Sequence, residues 1–308
     1  MKMIDVITVL ELINRVLSKL NLPTFNILKL RHQMTYTKIK KIVPSSLRKL
    51  ISVKQYHATE VITAKTPIFV MWWTGLETMP EIVRLCYGNL CNNAKLHPII
   101  LITKDNYSTV LPNSIVTDIK EVVDLYDNDK ICIQHLSDIV RTLILSKIGG
   151  IWIDATVYVT SDWDDKLIGK SFFSGRRTIK YANSGKSITK GQWTSYFIAS
   201  VKGNPLINFM YNGLIECYNR KMEIKEYYTM DYLFAIAMKN SSLVREIIEE
   251  VPLIDANLFS LENYMNEKFD EEQYRKFMTS APFFKLNHRI QYLKNNSDCV
   301  TVFGHMTK

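Results

Sequence analysis

Cysteine is scarce in this chain of 308 residues: five in all, at Cys86, Cys91, Cys132, Cys217 and Cys299. They are odd in number, scattered and without a CxxC pair, which argues against a disulfide framework and against a cysteine zinc site. Buried thiols in a reducing cytosol are the expectation. No apolar run approaches the ~18 residues that cross a bilayer. Nor does the N-terminus carry a signal-peptide pattern, because Asp5 and Glu11 interrupt its apolar stretch. Acidic residues are nearly missing from the first 60 positions, 3 against 11 Lys or Arg, a balance of +8. The remaining 248 hold 27 against 28, so the net charge of +9 belongs almost wholly to the N-terminal segment. Apolar residues make up 47%, which argues against disorder and supports a real core. The length suits one large α/β domain, or one domain with a helical appendage.

Residues 1–22 read as an amphipathic helix. Ile4, Ile7, Leu10, Leu12, Ile13, Val16, Leu17 and Leu20 fall mostly on one side, and Pro23 closes the helix. Residues 24–55 then carry Lys29, Arg31, Lys38, Lys40, Lys41, Arg48, Lys49 and Lys54 between apolar positions. Two readings fit this segment. One is attachment to an anionic membrane surface, which implies a cytoplasmic protein peripheral to the inner face of the cell membrane. The other is a helical hairpin packed on the main domain with a solvated basic face. Nucleic acid is not expected as a partner, because no reader motif accompanies the charge. Residues 1–65 are thus a basic helical extension, and residues 66–308 the core domain.

Within the core domain, short apolar runs alternate with helical patterns. Pro67–Trp73 (PIFVMWW) and Pro98–Thr103 (PIILIT) read as strands, with a helix over Pro80–Asn92 between them. Ile115 and Ile119 lie in a stretch that reads as irregular, before a helix from Gln134. This alternation predicts an α/β fold with a mostly parallel sheet and right-handed crossovers. Trp72 and Trp73 stand at a strand's C-terminal end, where open α/β sheets bind ligands. Further on, Ser171–Gly175 and Trp193–Ala199 read as strands, and Arg176–Gly191 as a polar loop able to order over substrate. A helix of about 15 residues is expected from Leu206. Another is expected over Tyr227–Lys239, and a charged helical cover over 240–275.

The stretch Gln134–Thr160 (QHLSDIVRTLILSKIGGIWIDATVYVT) organises the rest. Leu136, Ile139, Val140, Leu143, Ile144 and Ile148 form an apolar stripe at helical spacing, and His135, Asp138 and Arg141 line a neighbouring face. Gly149 and Gly150 end the helix. The strand that follows places Trp152, Asp154, Thr156 and Tyr158 on one face, with a carboxylate near its middle. On a strand this apolar, Asp154 requires a cation or a set of donors. A structural pair with Arg141 meets that need, and so does a charged cleft.

Ser137-Asp138-x-x-Arg141 followed by Gly149-Gly150-Ile151-Trp152-Ile153-Asp154-x-Thr156 resembles the capsular polysaccharide synthesis proteins of bacteria. These are relatives of the DxD-containing sugar transferases and the clostridial toxin glucosyltransferases. The resemblance implies a GT-A, Rossmann-like domain that takes a nucleotide-sugar donor, UDP-sugar foremost, and a growing lipid-linked capsular or exopolysaccharide acceptor. It implies transfer with retention. It also implies Mn²⁺ or Mg²⁺ held by Asp154, with Thr156 standing where the second acid of DxD would be and His305 as a further ligand. A hydroxyl is a weak ligand for a hard cation, so metal dependence is left open. Trp72 or Trp73 is implied to stack on the base. Ser137, Asp138, Arg141 and Trp152 are implied to contact the donor, and His305 and Lys308 to cover its diphosphate. Asp231 is implied to face the acceptor hydroxyl, and as a perturbed carboxylate it can serve as base. A capped structural Asp231 and a frayed C-terminal tail are the plainer readings. The competing function is a membrane-associated scaffold that keeps the fold and lacks activity.

Overall fold

The computed structural model describes residues 6–20, 25–52, 56–178, 180, 187–219, 226–296 and 299–308. Pro23, Lys54 and residues 179 and 181–186 of the expected substrate loop lie outside the described residues. The chain begins with three helices, α1 (Val6–Lys19), α2 (Phe25–Ile42) and α3 (Ser45–Leu50). Then come β1 (Ile68–Met71), α4 (Glu81–Asn93), β2 (Ile99–Ile102), α5 (Tyr107–Val110), α6 (Asn113–Asp127) and α7 (Ile133–Lys147). Next are β3 (Gly150–Ile153), β4 (Val157–Val159), β5 (Phe172–Ser174) and β6 (Phe197–Ser200), then α8 (Pro205–Asn219), α9 (Thr229–Asn240) and α10 (Ser242–Glu249). The chain ends with α11 (Ser260–Tyr264), α12 (Glu271–Met278), β7 (Phe283–Lys285), β8 (Asn295–Asn296), β9 (Cys299–Val300) and α13 (Val302–Met306).

The main sheet runs β2-β1-β3-β6-β5. β1 pairs in parallel with β2 and β3, while β3–β6 and β6–β5 are antiparallel. The α/β class is as the sequence implied, but the sheet is mixed rather than mostly parallel. Its parallel half comes from the strand–helix–strand alternation up to Ile153. The antiparallel half comes from the chain after it, which returns without a helical crossover before β5. α7 lies at the centre, packed on β3 and β6 and between α6 and α8. It buries more than a stripe: His135, Leu136, Ile139 and then every residue from Val140 to Ser146 are covered. Such all-round burial is the mark of a core helix.

Two local expectations are corrected. Residues 113–127 form a regular helix, because Ile115, Ile119, Val122 and Val123 recur on one turn-by-turn face and are all buried. The strand after Gly150 stops at Ile153 instead of running to Thr160. Asp154 N–H still reaches Tyr196 C=O at 2.9 Å, but Val157 N–H turns back to Asp154 C=O at 2.9 Å. The chain then joins a second, two-stranded sheet, β4 with β7.

Gly149 and Gly150, at the start of β3, are conformationally required. Gly150 has φ +128°, and a Cβ there would meet the Phe69 ring at 2.6 Å and Pro67 C=O at 3.1 Å. Gly150→Ala is therefore expected to cost about 2–5 kcal/mol, combining left-handed strain with overpacking. Calorimetry would check this, and a thermal midpoint within 1 °C of the parent would contradict it.

α1 packs against α2 but buries none of its residues. Leu10 and Leu17 are partly covered, while Val6, Val9, Leu12, Ile13, Val16 and Leu20 are 38–62% exposed. These six lie within one arc of the helix. α2 is tied to α9 by His32 Nδ1 to the Tyr232 hydroxyl at 2.7 Å, and to the segment just before α9 by Arg31 to Glu226 at 2.7 Å.

Candidate active site

Three elements converge on one carboxylate. Asp154 stands at the C-terminal end of β3. Its Oδ1 accepts from Arg141 Nη2 at 2.9 Å and from Trp152 Nε1 at 2.9 Å. Its Oδ2 receives the Lys285 ammonium at 3.2 Å. The same ammonium donates to Thr156 Oγ1. Lys285 is brought there by the pairing of β4 with β7, in which Val157 lies opposite Lys285.

Arg141 is the hub. It is nearly buried, with its side chain 5% exposed, and its guanidinium lies 5.1 Å over the Trp152 ring. Nη1 donates to Asp138 Oδ1 at 3.1 Å and touches Met230 Sδ at 3.7 Å, while Nη2 also reaches Ser137 Oγ at 3.4 Å. Asp138 and Arg141 sit one turn apart on α7, so the helix presents acid and base to the same point. Next to Met230, Asp231 accepts from Trp193 Nε1 at 3.0 Å. Trp193 in turn stacks on Phe234 with ring centroids 4.6 Å apart.

These surroundings separate the three acids. Burial pushes Asp138 up to about 7, Arg141 opposes that, and the charges of Asp154 and Asp231 add to it. Burial pushes Asp231 up to about 6, against the Trp193 donor and the Arg141 charge. Burial also works to raise Asp154, but Arg141, Lys285 and Trp152 together outweigh it and hold the group below the usual carboxylate range. The difference lies in Lys285, a second cation that Asp138 lacks. One carboxylate held ionised beside two whose proton affinity is raised is a pattern of acid–base sites.

The expected residues divide by location. Ser137, Asp138, Arg141, Trp152, Asp154 and Thr156 are brought together, with Asp231 next to Met230 at the edge of the group. Trp73 is buried, stacked on Tyr107 at 5.9 Å and edge-on to Tyr126. Trp72 is half-buried, meets His288 edge-on at 5.7 Å, and donates from Nε1 to Thr78. His305 lies in α13, flat on Phe269 with centroids 3.6 Å apart and edge-on to Tyr274. Neither ring belongs to the partners of Asp154. Lys308 is exposed at the chain end. Lys285 escaped the sequence reading. A lysine in the apolar run Pro282–Leu286 (PFFKL) was the available signal, by the reasoning that singled out Asp154.

A divalent ion at Asp154 and Thr156 would have one carboxylate and one hydroxyl from the protein, with the Lys285 ammonium already between them. Among the described residues no group of three His, Cys, Asp or Glu side chains is arranged to hold a metal. An ion about 4 Å from that ammonium would meet repulsion on the order of 8 kcal/mol at an effective dielectric of about 20. The residues as arranged do not fit the metal, and Lys285 supplies the positive charge there instead.

No curated protein matches the chain. A solved structure titled "PaToxG Glycosyltransferase" is similar at 15% identity and a TM-score of 0.43, over 82% of this chain and 96% of that one. At that distance the likeness carries no argument. The family model described as "Capsular polysaccharide synthesis protein" matches residues 20–306, nearly the whole sequence and every residue of the Asp154 cluster. This chain belongs to the capsular polysaccharide synthesis protein family.

Proposed function

We propose that the chain is a glycosyltransferase with a GT-A-like core. In this reading it takes a nucleotide-sugar, a UDP-sugar, and passes the sugar with retention to a growing lipid-linked capsular or exopolysaccharide acceptor. The observation that carries the proposal is the Asp154 cluster at the C-terminal end of β3, where an ionised carboxylate is clamped between Arg141 and Lys285. Open α/β sheets place ligands at that end of their strands.

The donor diphosphate approaches Lys285, and the charge that grows on the departing nucleotide is met by that ammonium, with Arg141 behind it. Thr156 and Asp154 hold Lys285 in position. Ser137 and Asp138 take donor hydroxyls. Of the two adjacent tryptophans, Trp72 stacks on the base, because the Trp73 ring is buried against Tyr107. Asp231, with its proton affinity raised, takes the acceptor hydroxyl proton. Mn²⁺ or Mg²⁺, as the family resemblance implies, would have to displace the Lys285 ammonium before binding Asp154. His305 and Lys308 act in donor binding only if α13 leaves Phe269.

No described helix is long and apolar enough to cross a membrane. The exposed apolar arc of α1, next to a basic α2, supports peripheral contact with an anionic membrane surface. A lipid-linked acceptor would be met there, on the cytoplasmic side.

The test is nucleotide release from a panel of UDP-, GDP- and CDP-sugars by the purified protein, with Mn²⁺, with Mg²⁺ and with EDTA. Release from one donor that survives EDTA is the expected result. Release abolished by EDTA would restore the metal. No release and no donor binding would leave the scaffold function.

A further inference from the structure

A second charged site lies on the N-terminal extension, away from Asp154. Where α2 turns into α3, a cleft of about 550 Å³ opens, lined by Tyr36, Thr37, Lys40, Lys41, Ser45 and Arg48 and by no carboxylate. Arg48 is fixed in it, since Nη1 donates to the Val43 carbonyl at 3.0 Å and the Lys40 carbonyl at 3.3 Å. A fourth cation borders it: Lys239 Nζ lies 5.6 Å over the Tyr36 ring. Tyr36 Oη is buried and makes no hydrogen bond of good geometry, although the Asn240 side chain is beside it.

Four cations around one cleft repel each other, and the buried Tyr36 hydroxyl has no well-formed hydrogen bond to offset its burial. An anion with several acceptor oxygens offsets both costs. Lysines and an arginine with hydroxyl donors are the groups that hold phosphate. We propose that this cleft binds a phosphate group, that of an anionic lipid headgroup at the membrane surface. The exposed apolar arc of α1, which packs on α2, would enter the lipid beside it. The inference rests on the membrane-facing part of the proposed function and is independent of the transfer chemistry.

The experiment is flotation of the full chain with vesicles of phosphatidylcholine alone, with 20% phosphatidylglycerol, and with 20% phosphatidic acid. It is paired with calorimetric titration of inorganic phosphate and glycerol phosphate. Lys40→Gln with Lys41→Gln removes two cleft charges. Lys29→Gln with Lys49→Gln removes two exposed charges outside it. Tyr36→Phe removes the hydroxyl alone, and Val9→Glu with Val16→Glu spoils the apolar arc.

Binding to anionic vesicles is expected to fall at least tenfold more for the cleft pair than for the outside pair, with a loss of about threefold for Tyr36→Phe. Equal losses for the two lysine pairs would overturn the cleft while leaving membrane attachment in place, as would loss confined to the Val9 and Val16 variant. If the parent binds no vesicle, the membrane reading fails and calorimetry decides. Heat with phosphate that the cleft pair abolishes would then assign the site to free phosphate esters, and no heat would sink it.

Discussion

Lys285→Met is expected to cut nucleotide release by about 10²–10³-fold, with a further loss, to about 10³-fold or more, for Asp154→Asn. Methionine keeps the length and apolar stem of lysine, so β7 can stay paired with β4 and Phe283 and Phe284 can stay buried. What disappears is the ammonium that bridges Asp154 and Thr156. Asparagine at 154 keeps the side-chain size and its place beside Trp152 but removes the charge that holds both Arg141 and Lys285. The two variants also separate the two sources of positive charge. If Lys285 meets the diphosphate, EDTA leaves the parent unchanged and added Mn²⁺ does not rescue Lys285→Met. If a divalent ion meets it, EDTA silences the parent, and Lys285→Met retains release or gains metal affinity, because the competing ammonium is gone. Melting curves of both variants would separate a lost site from a lost fold. Unchanged release from Lys285→Met without metal would remove Lys285 from the site.

Much of this site is legible in one run of residues. Asp138, Arg141 and Asp154 are joined by a helix, a two-glycine break and a strand, so local periodicity is enough to bring them together. The glycines are readable for the same reason: φ +80° at Gly149 and +128° at Gly150 are conformations other residues avoid. Lys285 is not readable this way. It is 131 positions from Asp154, and only the register of β4 on β7 joins them. The end of β3 at Ile153 was hidden because Ala155 to Val159 keep strand-like composition while a tight turn diverts them into another sheet. α6 carried the helical spacing of Ile115, Ile119, Val122 and Val123, but its interleaved acids and threonine masked it. For the exposed arc of α1 the apolar pattern was plain. Which side of it would be covered depends on α2, and that is a tertiary fact.

The raised acids should set the pH behaviour of fold and activity in opposite directions. Asp138 and Asp231 bind their protons more tightly when folded than an ordinary aspartate, with values of about 7 and about 6. The folded state therefore holds more protons than the unfolded one between about pH 4 and 7, and stability falls as pH rises through that window. For Asp138 alone, the rise from the ordinary aspartate range to about 7 corresponds to a loss on the order of 4 kcal/mol. Asp154 has the opposite sign: its lowered value contributes stability above the unfolded pKa that is lost as pH falls. Melting temperature should then peak in mildly acid solution and decline toward pH 8, and Asp138→Asn should flatten that decline. Transfer needs Asp231 ionised, so its rate should rise about tenfold per unit below about pH 6 and level off above it. Asp231→Asn should lose that rising limb together with about 10²–10⁴-fold of the transfer rate. Its donor hydrolysis should change far less, since Trp193 and Asp231 stand apart from the Lys285 charge. Rate profiles and melting curves taken on the same samples from pH 4.5 to 8.5 would show whether the two trends cross. A rate profile unaltered by Asp231→Asn would move the base elsewhere, and a melting temperature rising toward pH 8 would mean Asp138 is ionised and satisfied in the fold.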